Sequence, residues 1–149
     1  MAHLCHLMKR DTRIAVIGAG LGGATAAAWL QCEGFPVQVY EQARSFERIG
    51  AGIHVSGNVM KVLRRLGADQ RLSQIGIHPD IFTSRKWDTG DVLFELPLGE
   101  IGARKYGAGY ITVHRHDLHA AILEKSRARY NSVRQAARRC QAGRQRGAY

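Results

Sequence analysis

The sequence predicts an α/β fold that opens on parallel strands, and three observations carry that expectation. Arg13-Ile14-Ala15-Val16-Ile17 is a short apolar, partly β-branched run of the kind found in buried parallel strands. A glycine-rich turn, Gly18-Ala19-Gly20-Leu21-Gly22-Gly23, follows at once, and residues 24–33 after it form an alanine-rich helical stretch closed by Gly34. Phe35-Pro36 then turns the chain into Val37-Gln38-Val39-Tyr40, a second strand ending at Glu41. Together they make one crossover unit, whose hand is expected to be right.

The remaining elements follow in order. Residues 42–52 read as loop, with Gly50 and Gly52 bracketing Ala51, and residues 53–55 as a short strand. Residues 58–66 predict an amphipathic helix with Val59, Val62, Leu63 and Leu66 on one face and Lys61, Arg64 and Arg65 on the other. Gly67 stops it, and another short helix is expected over 70–75. Residues 82–87 and 92–96 predict two strands around Asp88-Thr89-Gly90-Asp91, a hairpin turn. A further strand is expected over 110–113. Asp117 then stands as N-cap or first-turn acid of a helix running from 118 toward 128. Beyond residue 125 the apolar period ends and no strand is expected. The sequence has no internal repeat.

The 149 residues suffice for one modest domain, and 45% hydrophobic content is globular rather than disordered. No apolar run approaches the ~20 residues of a membrane span. Residues 1–12 lack the apolar core and cleavage site of a secretory signal. Cys5, Cys32 and Cys140 are too few and scattered for a disulfide framework or a zinc site, so a reducing cytoplasm is the expected compartment. The net charge of +10 is uneven: residues 1–123 hold 14 basic and 11 acidic side chains, residues 124–149 hold 8 and 1. The basicity belongs to the tail and says little about the main body.

Gly18-x-Gly20-x-x-Gly23 gains meaning from its context. It follows a strand and opens a helix, and Glu41 lies 23 positions beyond Gly18 at the end of the next strand. Gly18 allows the tight turn, Gly20 lets the backbone approach a pyrophosphate, and Gly23 lets helix and strand pack closely. The helix N-terminus favours the anion. Glu41 can accept hydrogen bonds from ribose hydroxyls and would repel a 2′-phosphate. The competing reading is a tight strand–helix turn with no ligand. The fingerprint alone leaves NAD and FAD both open.

Several further segments match one family in order: residues 14–23, Val39-Tyr40-Glu41-Gln42, Ile49-Gly50-Ala51-Gly52-Ile53-His54, Asn58-Val59-Met60-Lys61, Gly76-Ile77-His78-Pro79-Asp80, Thr89-Gly90-Asp91, Pro97-Leu98-Gly99-Glu100, and the run from Tyr110 to His119. Over residues 12–123 the chain resembles the N-terminal part of class A FAD-dependent aromatic-ring monooxygenases, the group that includes salicylate hydroxylase. The resemblance implies a Rossmann-like FAD-binding domain. FAD would lie over Gly18, Gly20 and Gly23, with its ribose at Glu41 beside Gln42. Arg115 matches the family arginine that contacts the cofactor, and a guanidinium after a strand end suits phosphate or flavin carbonyl contacts. Arg48 stands between a phosphate or ribose contact and a surface role. His54 matches a histidine that acts as base toward the ring hydroxyl of the substrate, a role a neutral imidazole suits. Taken without the resemblance, a lone histidine between Ile53 and Val55 is more often structural.

The implied reaction is the hydroxylation of an aromatic or heteroaromatic acid of the 6-hydroxynicotinate or salicylate kind. It uses FAD, NADH or NADPH as co-substrate, and O2. The other histidines (His3, His6, His78, His114, His116 and His119) form no convincing metal pattern, so no metal is expected. Neither a membrane nor a nucleic acid is expected as a partner.

The match also has departures. Family members are far longer, and their later flavin motifs and substrate-covering sheet domain have no counterpart here, so the domain is expected to be incomplete. Position 116 is His where relatives usually carry Gly, and Ser56-Gly57 replaces the usual Gly-Pro or Gly-Ala. The expected organisation is an N-terminal extension (1–12), the N-terminal part of an FAD-binding domain (13–123) and a basic tail (124–149), frameshifted or disordered. Codons exist for residues 128–137 that, read one base on, give Pro-Gly-Thr-Ile-Arg-Phe-Gly-Lys-Arg-Leu, which resembles the family's continuation. Two other readings remain: a truncated NAD- or FAD-binding module without catalysis, and a nucleic-acid-binding arm, for which the tail offers charge but only Tyr130 and Tyr149 for stacking.

Overall fold

A computed structural model describes residues 12–43, 51–126 and the strand at 129–132. The chain divides into two units, one formed by residues 1–48 and 122–149 and the other by residues 49–121. Residues 1–11, 44–50, 127–128 and 133–149 lie outside the described residues, and with them Arg48, His3, His6, Cys5 and Cys140.

In the first unit, β1 (Ile14–Ile17) and β2 (Val37–Glu41) flank α1 (Leu21–Cys32) in sequence. The strands pair in parallel, Ile14 opposite Val37 through Ile17 opposite Tyr40. Alanines at 24, 27 and 28 are buried along α1. Ala19, Ala27, Val37 and Val39 form the buried core here, with Ile14, Val16, Leu30 and Phe35 packed against it. Small side chains let the helix lie close to the sheet, and each buried methyl adds to the apolar area withdrawn from water. The helix begins at Leu21, inside the glycine turn, three residues earlier than the composition suggested.

The expectation of no strand beyond residue 125 is corrected. β7 (Arg129–Ser132) pairs in parallel with β2, Gln38 opposite Arg129 through Glu41 opposite Ser132, giving the sheet order β1-β2-β7. Ladder pairing is a backbone property: the second edge of β2 presents N–H and C=O groups that need partners, whatever side chains the partner carries.

The second unit holds β3 (Gly52–Val55), α2 (Gly57–Leu66), α3 (Asp69–Ile75), β4 (Ile81–Arg85), β5 (Val92–Pro97), α4 (Glu100–Tyr106) and β6 (Ile111–His114). α5 (Arg115–Lys125) leaves it directly from β6. Three residues of α2 are buried, Met60, Leu63 and Leu66, whereas Val59 and Val62 are more than a third exposed. The buried stripe is therefore turned by about one residue from the expected one, and Met60 takes the place given to Val59. Gly67 ends α2 in the left-handed region at φ 72°, its N–H donating to the Arg64 carbonyl. Asp117 sits in the first turn of α5, not at its cap.

β4 and β5 form an antiparallel hairpin with an irregularity at Ser84/Arg85. No sequence pattern announced α4. At seven residues it is too short to show a period, and Gly99 and Gly107 bound it as loop-like punctuation.

Candidate functional site

The glycine turn is built by contacts that only glycine allows. Gly18 adopts φ +91°, and its N–H donates to the Tyr40 carbonyl at 2.7 Å. A Cβ on Gly23 would meet the Gly18 carbonyl oxygen at 1.9 Å, whereas one on Gly20 would meet nothing within 4 Å. Gly23 thus marks close helix–strand approach, and Gly20 marks open space at the mouth of the turn. Gly20 is also the N-cap of α1, and no side chain caps that helix. The first N–H groups of a helix have no acceptor within it, and a helix start of this kind is the arrangement that receives a phosphate.

Glu41 ends β2 and reaches back to the same turn. Its Oε2 accepts from the Ala19 N–H at 2.6 Å, and its Oε1 accepts from the Ala43 N–H at 2.8 Å. Carboxylate, glycine turn and helix start are therefore one hydrogen-bonded assembly. Gln42 follows, exposed. These residues fit a dinucleotide: an open backbone cradle for the pyrophosphate and a carboxylate on the neighbouring strand end for the ribose.

His54 and Arg115 belong to the other unit, on the antiparallel β3–β6 pair. This ribbon has two unlike faces. Val55, Ile111 and Val113 are buried, and the last two lie beneath Gly76 at the end of α3. The alternate residues, His54, Tyr110, Thr112 and His114, share the opposite face, as the period of two requires. His54 is exposed there, with its ring 5.8 Å from that of Tyr110 and its Nδ1 3.1 Å from Thr112 Oγ1. A groove of about 500 Å³ adjoins this face through Tyr110, with Ser56, Asn58, Lys61, Lys105 and Tyr106 also lining it. Arg115 is the residue after β6, and its N–H donates to the Ala51 carbonyl at 3.2 Å. Its side chain is exposed. The fold thus brings His54 and Arg115 to one ribbon, and Gly18, Gly20, Gly23, Glu41 and Gln42 to one turn.

Sequence reasoning missed Thr112 and Tyr110. The signal was present in the alternation of residues 110–114, but the pairing of this strand with residues 52–55 is not local. Among the described residues no cluster of three His, Cys, Asp or Glu side chains could hold a metal ion. His114 instead accepts the His116 backbone N–H at Nδ1, 3.2 Å away.

The profile of a family described as "FAD binding domain" matches residues 11–146. The chain belongs to this family. It is 59% identical over 117 residues to 6-hydroxynicotinate 3-monooxygenase of Pseudomonas fluorescens, covering 78% of this chain and 30% of that enzyme. Identity to the enzyme of the same name from Bordetella bronchiseptica is 52% over 115 residues, 77% of this chain and 30% of the relative. The 3-amino-4-hydroxybenzoate 2-monooxygenase of Streptomyces cremeus is 39% identical over 116 residues, 78% of this chain and 29% of its own length.

Among solved structures, a 2-methyl-3-hydroxypyridine-5-carboxylic acid oxygenase superposes with a TM-score of 0.67 at 25% identity, over 80% of this chain and 31% of that one. HpxO of Klebsiella pneumoniae, complexed with FAD and uric acid, gives 0.63 at 26% identity, over 78% and 29%. The relatives are flavin monooxygenases, and this chain spans about 30% of the length of the curated ones. It is the incomplete α/β FAD-binding domain that the resemblance implied. No helix among the described residues is long and apolar enough to cross a membrane.

Proposed function

We propose that this chain is the cofactor-holding N-terminal portion of a cytoplasmic flavin monooxygenase. The reaction is hydroxylation of a small aromatic or heteroaromatic acid, 6-hydroxynicotinate or a close analogue, with NADH or NADPH as reductant and O2 as oxidant. The observation that carries the reading is the 59% identity to 6-hydroxynicotinate 3-monooxygenase over 117 residues. The glycine turn and α1 receive the pyrophosphate, Glu41 beside Gln42 accepts from the ribose, and Arg115 supplies a cation to the cofactor. His54 takes the proton of the substrate's ring hydroxyl, which makes the ring electron-rich where oxygen is to add. When bound, FAD supplies the activation of O2, and the protein's part is to hold and orient.

The tail from residue 124 is proposed to be read out of frame. Arg129-Tyr130-Asn131-Ser132 occupies a place beside β2 where a parallel strand is ordinarily Val/Ile-rich. The 149-residue chain is accordingly proposed to hold FAD without turning substrate over. Two experiments test the reading. FAD titrated into the chain should bind saturably and keep its oxidised spectrum, and Glu41→Ala should weaken it; binding of NAD instead of FAD would favour a bare dinucleotide module. Sequencing the coding DNA from codon 115 onward should show a one-base shift restoring Pro-Gly-Thr and a long open frame. An unbroken frame without such a continuation would make the tail genuine.

A further inference from the structure

We infer that Thr112 is the positioning residue for His54, its hydroxyl accepting from Nδ1–H so that Nε2 carries the basic lone pair. The inference rests on the reading of His54 as a base, and the geometry adds which nitrogen acts and what fixes it. Thr112 N–H donates to the Ile77 carbonyl at 2.8 Å, and Ile77 N–H donates to the Thr112 carbonyl at 2.9 Å. A strand residue sends both groups to the same side, so Thr112 spends them on Ile77 and has none for β3. His54 and Thr112, directly opposite in register, are therefore a non-hydrogen-bonded pair, the kind whose side chains come closest. The neighbouring pairs obey the same alternation, since the Arg115 N–H reaches Ala51.

Side-chain geometry completes the device. A Cβ on Gly52 would lie 3.6 Å from Thr112 Cγ2, so the Thr112 methyl lies toward the vacancy that Gly52 provides. The hydroxyl is left toward His54, 3.1 Å from Nδ1. A β-branched side chain on a strand has few χ1 alternatives, so this placement is stiff. Tyr110, two residues back on the same face, sets its ring 5.8 Å from the imidazole. A threonine hydroxyl can donate or accept, and the base role of His54 selects between them: a lone pair at Nε2 requires the proton on Nδ1, which the Thr112 hydroxyl then accepts, whereas a donating hydroxyl would leave Nε2–H and no base.

The test reads the tautomer directly in the full 149-residue chain. With 15N-labelled histidine, the imidazole coupling pattern above the titration range tells which nitrogen holds the proton, and loss of the signal in His54→Gln assigns it. Wild type should show the Nδ1–H form. Thr112→Val, nearly isosteric but without the hydroxyl, should shift the ratio toward Nε2–H by about 2- to 10-fold, the equilibrium equivalent of one net hydrogen bond. Thr112→Ser should restore the wild-type ratio. An Nε2–H form in wild type, or a ratio unmoved by Thr112→Val, overturns the assignment whatever His54→Gln does to turnover in the frame-restored protein. Loss of the base role would show only in turnover and would leave the tautomer result standing.

Discussion

A methyl group at residue 23 would sit 1.9 Å from the Gly18 carbonyl oxygen, so helix and turn would have to part to admit it. Gly23→Ala should destabilise the chain by about 1–3 kcal/mol, as overpacking does, and weaken FAD binding with it. A urea melt and a flavin titration on one sample check both. Gly20→Ala has open space and should leave the melt nearly unchanged while hindering approach of the pyrophosphate. The contrast separates a structural glycine from a ligand-facing one. For His54, the proposed base role predicts that His54→Gln in the frame-restored protein lowers kcat by about 10²–10⁴-fold, measured as NADH-dependent O2 consumption with 6-hydroxynicotinate. The glycine spacing and Glu41 were legible because a single local unit fixes them. Thr112 was not, because its meaning depends on a strand 58 positions away.

At the level of elements, α2 shows how far a period can be trusted. Its apolar positions predicted the right helix and stop but misplaced the stripe, which included Val59 and Val62 and left out the buried Met60. Leu63 is 1% exposed, and Leu63→Ala should cost about 2–5 kcal/mol in a denaturant melt, whereas Val62→Ala, at a 36% exposed position, should cost much less. Gly67→Ala must adopt φ 72° with a Cβ and should cost about 1 kcal/mol by the same measurement. α4 was illegible for want of length. β7 was illegible for a different reason: the edge of β2 recruits it through backbone groups, and no pattern in Arg129-Tyr130-Asn131-Ser132 announces a strand.

For the molecule as a whole, the β4–β5 hairpin carries an unmet demand. Ile81, Phe82, Val92, Leu93, Phe94 and Leu96 are each about half exposed, although Phe82 and Phe94 face one another with rings 6.1 Å apart. Large apolar side chains left exposed along both strands of a hairpin in this way drive association. The chain should therefore self-associate with rising concentration, and Leu93→Lys should reduce that in sedimentation velocity without loss of FAD binding. The pairing of β3 with β6 has a kinetic side as well. His54 meets Thr112 only after the chain between them, with three helices and the hairpin, has been drawn into a closed loop. Closing so long a loop is entropically costly and slow, whereas the hairpin joins neighbours. In pulsed hydrogen exchange during refolding, the β4–β5 amides should gain protection first and those of Gly52–Val55 late. The face that bears His54 would then be among the last parts of its unit to exist, and any nick between α2 and α4 that loosened this closure would dissolve it before touching the glycine turn.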